Sequence, residues 1–231
     1  MPMYLETLGI LICFASHRKE ISLTFPKPYH CPQKVVDLTP EGHPEMHGHL
    51  NNLGNSHMLR FTRTKDLLDI SKAISSLQNA VHLTPPGHAD MPIYLTTLGS
   101  SFGYRFQHTG DLADISKAIS EQQEAVHLTP QGHADMPNRL TNLGHLFRHR
   151  FKSTGDLADI DTAISDYSLA ATYSSGPPSK RLDVAIVWTK WSQKYAPSVI
   201  RCIQDCYSTC FLTCGFGTNY TGASYKSPRY F

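Results

Sequence analysis

Four sets of side chains in this sequence could do chemistry. The first is six cysteines: Cys13, Cys31, Cys202, Cys206, Cys210 and Cys214. The last four are spaced four apart. On a helix that spacing shares one face, so a thiolate cluster for zinc or iron–sulfur is conceivable. Zinc frameworks more often use pairs two to four apart joined by a longer loop. No cysteine lies between 46 and 200, and no metal or other cofactor is expected. The second set is His43, His88 and His133, which recur at one spacing. Equivalent positions on stacked helices lie at least ~8–10 Å apart, whereas ligand bonds are near 2 Å. One ion cannot collect this ladder, and a hydrogen-bonding role in turns is expected. The third set is the carboxylate pairs Asp66/Asp69, Asp111/Asp114 and Asp156/Asp159. Paired carboxylates can share general acid–base work, but each pair opens a helical pattern, which predicts capping. The fourth is Arg60, Arg105 and Arg150, expected to sit near helix C-termini, where a cation suits the dipole. No cysteine–histidine pair stands in the strand-rich context that a cysteine protease needs. Gly215-Phe216-Gly217 lacks the setting of a phosphate loop. No catalytic residue is assigned.

The elements that carry these residues follow from internal repetition. Leu-Thr-Pro occurs at 38–40, 83–85 and 128–130, each 45 residues after the last. The pairs Gly42-His43, Gly87-His88 and Gly132-His133 keep the same period. So do Met1, Met46, Met91 and Met136, and the Leu-Gly pairs at 8–9, 53–54, 98–99 and 143–144. A fixed period of this size is the signature of a repeat architecture.

Each unit reads as two helices, A and B. In the third unit Pro92 stands where a first-turn proline belongs. Leu95, Leu98 and Phe102 follow at helical spacing, and Arg105-Phe106 close helix A. Thr109-Gly110-Asp111 is a break. Asp111 can cap helix B, with Asp114 in a box-like arrangement. Leu112, Ile115, Ala118, Ile119, Ala125 and Val126 make one apolar stripe. A lone helix pair cannot bury that stripe, so units must stack. The fold class expected is all-α, an α-solenoid of antiparallel helix hairpins. Such repeats supply a core without a disulfide framework.

Composition excludes other classes. The chain has 231 residues, 21 Lys plus Arg against 19 Asp plus Glu, and a net charge of +2. That offers no basic footprint for nucleic acid. No apolar run reaches the ~18–20 residues that cross a bilayer. The stretch Leu8 to Ala15 lacks the basic flank of a signal peptide. No membrane partner and a cytoplasmic location are expected.

The repeat resembles the tetratricopeptide repeat. Leu98-Gly99-Phe102 matches its helix A, and Ala118, Gln122, Ala125 and Pro130 match its helix B, with Gln122 in place of the family's aromatic. The family period is 34 residues, so these helices or turns are longer. The phrases Gly-Asp-Leu-Ala-Asp-Ile, Ala-Val-His-Leu-Thr-Pro and Ser-Gly-Pro-Pro-Ser are similar to the long repeats that precede CHAT domains, which are caspase-like. That likeness implies a recognition arm whose effector domain is absent from these 231 residues.

The first unit keeps its length but loses the pattern between 14 and 31. Pro26 and Pro28 fall in a helix slot, where each costs about 3 kcal/mol. One choice of synonymous codons for Ile21 onward is ATC TCG CTG ACA TTT CCA AAG CCA TAT CA. Read from one base earlier, they give Asp-Leu-Ala-Asp-Ile-Ser-Lys-Ala-Ile-Ser, identical to 111–120. The expectation is a compensated frameshift, restored by Lys34-Val35-Val36, with the second helix of unit one missing or irregular. The coding sequence tests it. Residues 201–207 and 216–224 permit a similar shifted reading.

The expected organisation is a degenerate repeat over 1–45, repeats over 46–90, 91–135 and 136–175, a capping helix over 176–197, and a divergent cysteine-rich tail over 198–231. The tetratricopeptide likeness implies that the helix A faces line a concave surface. Asn51, Asn55, Thr96, Ser100, Thr141, His145 and Arg148 would face it. Of the Lys, Arg and Asn that chaperone-binding members use to clamp a carboxylate, only Asn55 matches. The expected function is non-catalytic recognition of a protein or peptide partner. Self-association through an exposed repeat end is a further expectation. The alternatives are the regulatory arm of a CHAT-type protease and a frame-drifted remnant.

Overall fold

A computed structural model describes residues 30–174 and 178–195, with side chains from Pro32. The disrupted slot at 14–29, Cys13, Cys31's side chain and the four tail cysteines lie outside the described residues, as do both shifted-frame segments beyond His30. The described residues hold eight helices and no strand. They are α1 (His30–Leu38), α2 (Met46–Thr64), α3 (Leu67–Leu83), α4 (Met91–Thr109), α5 (Leu112–His127), α6 (Met136–Thr154), α7 (Leu157–Thr172) and α8 (Pro178–Tyr195). The fold is all-α, of the helical-solenoid class. α1 begins at the end of the disrupted slot and runs through Lys34-Val35-Val36.

Two compact units divide the chain at Asp114. In the first, α2 packs on α3, α3 on α4, and α1 on α2. Its core holds Leu53, Phe61, Ile70, Ala73, Leu77, Leu95, Leu98 and Phe102. In the second, α6 packs on α7 and α7 on α8. Its core holds Leu140, Leu143, Phe147, Ile160, Ala163, Ile164, Tyr167 and Trp188. The stripe on α5 differs from its sequence reading. Leu112 is 49% exposed, and Gln122 is fully buried. As the first helical residue, Leu112 precedes the turn at which the stripe meets its neighbours.

Helix ends are set by local chemistry. Asp66, Asp111 and Asp156 accept from the amides of Leu68, Ala113 and Ala158 at 2.9–3.0 Å, the first-turn donors a helix leaves unpaired. α4 and α6 end on Gly110 and Gly155, both left-handed at φ 75°. α2 ends instead on Lys65 at φ 61°, where a side chain costs about 1–2 kcal/mol that glycine avoids. His43, His88 and His133 each accept through Nδ1 from the amide two residues on, at 3.2 Å. They brace turns.

The Leu-Gly glycine lets two helices approach. A Cβ on Gly54 would lie 2.5 Å from Leu77 Cγ and 3.2 Å from the Ala73 carbonyl oxygen. A Cβ on Gly144 would lie 2.8 Å from the Tyr167 ring. Gly48, earlier in the same helix as Gly54, has nothing nearer than 3.7 Å. Gly48→Ala should therefore stabilise by about 0.5–1 kcal/mol through helix propensity. Gly54→Ala should destabilise by about 2 kcal/mol through overpacking. Urea unfolding of the two variants checks the contrast. Equal shifts in one direction would rule out the close approach.

Candidate functional site

The conspicuous charged residues turn out to be committed to structure. Arg105 donates through Nε and Nη2 to the two carboxylate oxygens of Asp114, at 2.7 and 2.5 Å. Arg150 does the same to Asp159 at 2.8 and 2.5 Å. Arg60 grips Asp69 in the same way, with Thr64 Oγ1 adding a third contact at 3.3 Å. These are fork-to-fork pairs, the strongest arrangement for arginine and carboxylate. Each links the end of one helix to the first turn of the next. The hydrogen bond from Arg60 holds the Asp69 carboxyl below the usual carboxylate range, against the opposing effect of burial. Bonding to the carboxylate likewise raises Arg105 and Arg150. The second aspartate of each sequence pair is thus not a cap. The arginines do more than neutralise a helix terminus.

The seven residues expected on the helix A faces divide between the two units. In the first unit, Asn51 is buried and its side-chain oxygen has no hydrogen-bond partner. Asn55, Thr96 and Ser100 are half-buried. Thr96 and Ser100 donate their hydroxyls back to the Pro92 and Thr96 carbonyls at 2.7 and 2.8 Å. This i−4 bonding uses their donors within the helix. In the second unit Thr141 donates to the Pro137 carbonyl at 2.6 Å.

His145 and Arg148 are in a different setting. His145 Nδ1 lies 2.8 Å from the Tyr167 hydroxyl. Burial, then the neighbouring Arg148 and His149, pull the imidazole down to about 4. His149 is also lowered, first by burial and then by Arg148 and Lys152. Both rings are neutral near pH 7 and can donate and accept. The Arg148 guanidinium lies over the Trp191 ring, 5.5 Å from its centroid. Its Nε is buried without a hydrogen-bond partner. Lys152 approaches the same ring at 5.8 Å. Trp191 stacks on Tyr195 at 5.5 Å and 11°, and Phe151 meets Tyr195 edge-on at 5.2 Å. Neither Trp191 nor Lys152 was among the residues expected on the helix A faces. The signal was present in the spacing Trp188, Trp191, Tyr195, which follows a helical face. Trp188 is 2% exposed and belongs to the core.

Two further polar features are present among the described residues. Asp166 on α7 is pushed up to about 7 by burial, and its Oδ2 has no hydrogen-bond partner. In the first unit, an open cleft of about 440 Å³ is lined by Gln33, His57, Lys72 and three serines. Burial lowers His57, and its Nδ1 also lacks a partner. Among the described residues no group of three His, Cys, Asp or Glu is placed to hold a metal. No helix there is long and apolar enough to cross a membrane.

No family model matches the chain, and no curated protein matches its sequence. Among solved structures it is similar to BtubC (BKLC) from P. vanneervenii, at 13% identity and a TM-score of 0.59 over 87% of this chain and 78% of that one. It also matches the DHF79 filament at 11% identity and TM-score 0.42, over 80% of this chain and 95% of that one. The de novo designed helical repeat protein DHR64 matches at 11% and 0.42, over 79% and 94%. The first likeness is one of fold. The chain is a helical-repeat protein.

Proposed function

We propose that the chain is a non-catalytic recognition scaffold, tetratricopeptide-like in its hairpins, that takes a peptide segment of a protein partner on its helix A faces. The observation that carries this reading is Arg148. The three arginines that close helix A in successive hairpins are each clasped to a carboxylate. Arg148 has no such partner among the described residues and rests on an indole. A half-buried guanidinium with an unpaired Nε is a donor waiting for an acceptor. Asn55 is half-buried on α2 in the first unit. The paired aspartates, engaged as caps and clasps, are not free for acid–base work.

Selection of a random peptide library on the immobilised whole chain tests this reading. The expected result is an enriched peptide whose affinity falls at least fivefold on Asn55→Ala or Arg148→Gln, with helicity by circular dichroism unchanged. No enrichment, affinity indifferent to both substitutions, or cleavage of the library peptides would contradict it.

A further inference from the structure

In the second unit three cations gather around two aromatic rings. Arg148 and Lys152, one turn apart on α6, both approach the Trp191 ring of α8. Lys194 lies 4.9 Å from the centroid of Tyr195, and Tyr195 stacks on Trp191. Among the described residues, none of Arg148, Lys152 and Lys194 has a carboxylate within ion-pair distance. α6 itself carries no Asp or Glu, and His145 and His149 flank Arg148 on it. Two like charges at i and i+4 on a helix repel. An incoming anion would relieve that repulsion. The Trp191 ring holds the two cations side by side, Arg148 half-buried and Lys152 exposed.

We propose that this cluster of Arg148, Lys152 and Lys194 around Trp191 and Tyr195 docks an acidic segment of a protein partner, through its Asp and Glu side chains. The inference rests on the recognition reading and gives the partner its chemistry. Charge complementarity selects the occupant. A planar guanidinium and two ammonium groups match a short run of carboxylates, and the flanking rings pack the intervening methylenes. The match needs side-chain carboxylates along a segment and makes no use of a free chain terminus.

Fluorescein-labelled deca-glutamate with an amidated C-terminus is the probe, titrated into the whole chain. It should bind at 50 mM salt and weaken as salt is raised, because exposed charges are screened. Arg148→Gln/Lys152→Gln should weaken it about tenfold, from the loss of charge-assisted bonds. Lys194→Gln, on an exposed residue, should weaken it in the same direction with no risk to folding. The Trp191 indole N–H resonance should shift on binding, and that of the buried Trp188 should stay. Absence of binding, equal binding by the double variant, or a preference for an oligothymidylate of ten nucleotides would overturn the proposal. If deca-glutamate fails while library peptides of other composition bind, this proposal falls and the recognition reading stands. If neither binds, both fall.

Discussion

Replacing Arg150 by methionine should destabilise the second unit by about 3 kcal/mol, the largest single effect expected. Its two bonds to Asp159, at 2.8 and 2.5 Å, tie the end of α6 to the first turn of α7. The Asp159 side chain is only 4% exposed, whereas Arg150 is 30% exposed. Removing the cation leaves a buried carboxylate without its counter-charge, the costly way to break such a pair. The α7 N-terminus offsets a fraction of that cost through its dipole. Removing both charges with Arg150→Met/Asp159→Leu should recover most of the loss, because an apolar pair of similar volume carries no desolvation penalty. The urea midpoints of the single and double variants decide the matter. A single-variant cost below about 1 kcal/mol would place the pair with ordinary surface ion pairs.

The second large effect is a pair of opposed pH dependences in the same unit. His145 is lowered from 6.5 to about 4 by burial and by Arg148 and His149. Between those values the unfolded chain holds the extra proton. The His145 contribution is therefore full above pH 6.5 and is lost as pH falls toward 4. Asp166 is raised from 3.8 to about 7 by burial. Here the folded chain holds the extra proton, so the contribution is full below pH 3.8 and is lost as pH rises through 7. The two trends oppose each other across pH 4–7. Asp166→Asn should be neutral at pH 4 and stabilising at pH 8, by on the order of 2 kcal/mol after allowance for partial exposure. His145→Gln should be costly at pH 7.5, where it loses the Tyr167 contact, and less costly at pH 4 by a similar amount. Urea unfolding of wild type and both variants across this range checks the signs. Differences from wild type that do not vary with pH would remove the account of both groups.

The helices were legible because each is written by local rules. Met-x-x-x-Leu-x-x-Leu-Gly opens a helix with one apolar face, Asp66, Asp111 and Asp156 cap the next, and Gly110 and Gly155 end α4 and α6. The arginine–aspartate clasps were not legible, because nine residues across a turn is no helical or strand period. Their only trace was the constancy of that separation at 60/69, 105/114 and 150/159. Gln122 was visible as a departure from an aromatic. Its full burial, with Nε2 donating to the Arg139 carbonyl at 3.1 Å, depends on a partner outside its own helix. Asn51 shows the reverse. A polar side chain on helix A was expected to face a groove, yet it is buried. Arg148 was singled out by its place on helix A, one turn past Leu143-Gly144. Lys152, Trp191 and Tyr195 were not, since that cluster forms only when α8 packs against α6.

The reading of this chain as a recognition scaffold is tested most directly by an amide and side-chain NMR titration of the whole chain with the library-selected peptide. Shifts should concentrate on α6 and α8, at the Arg148 Nε–H and the Trp191 indole. Shifts confined to the exposed faces of α3 and α7, around Ser71 and Asp161, would contradict the account. So would a spectrum that does not change.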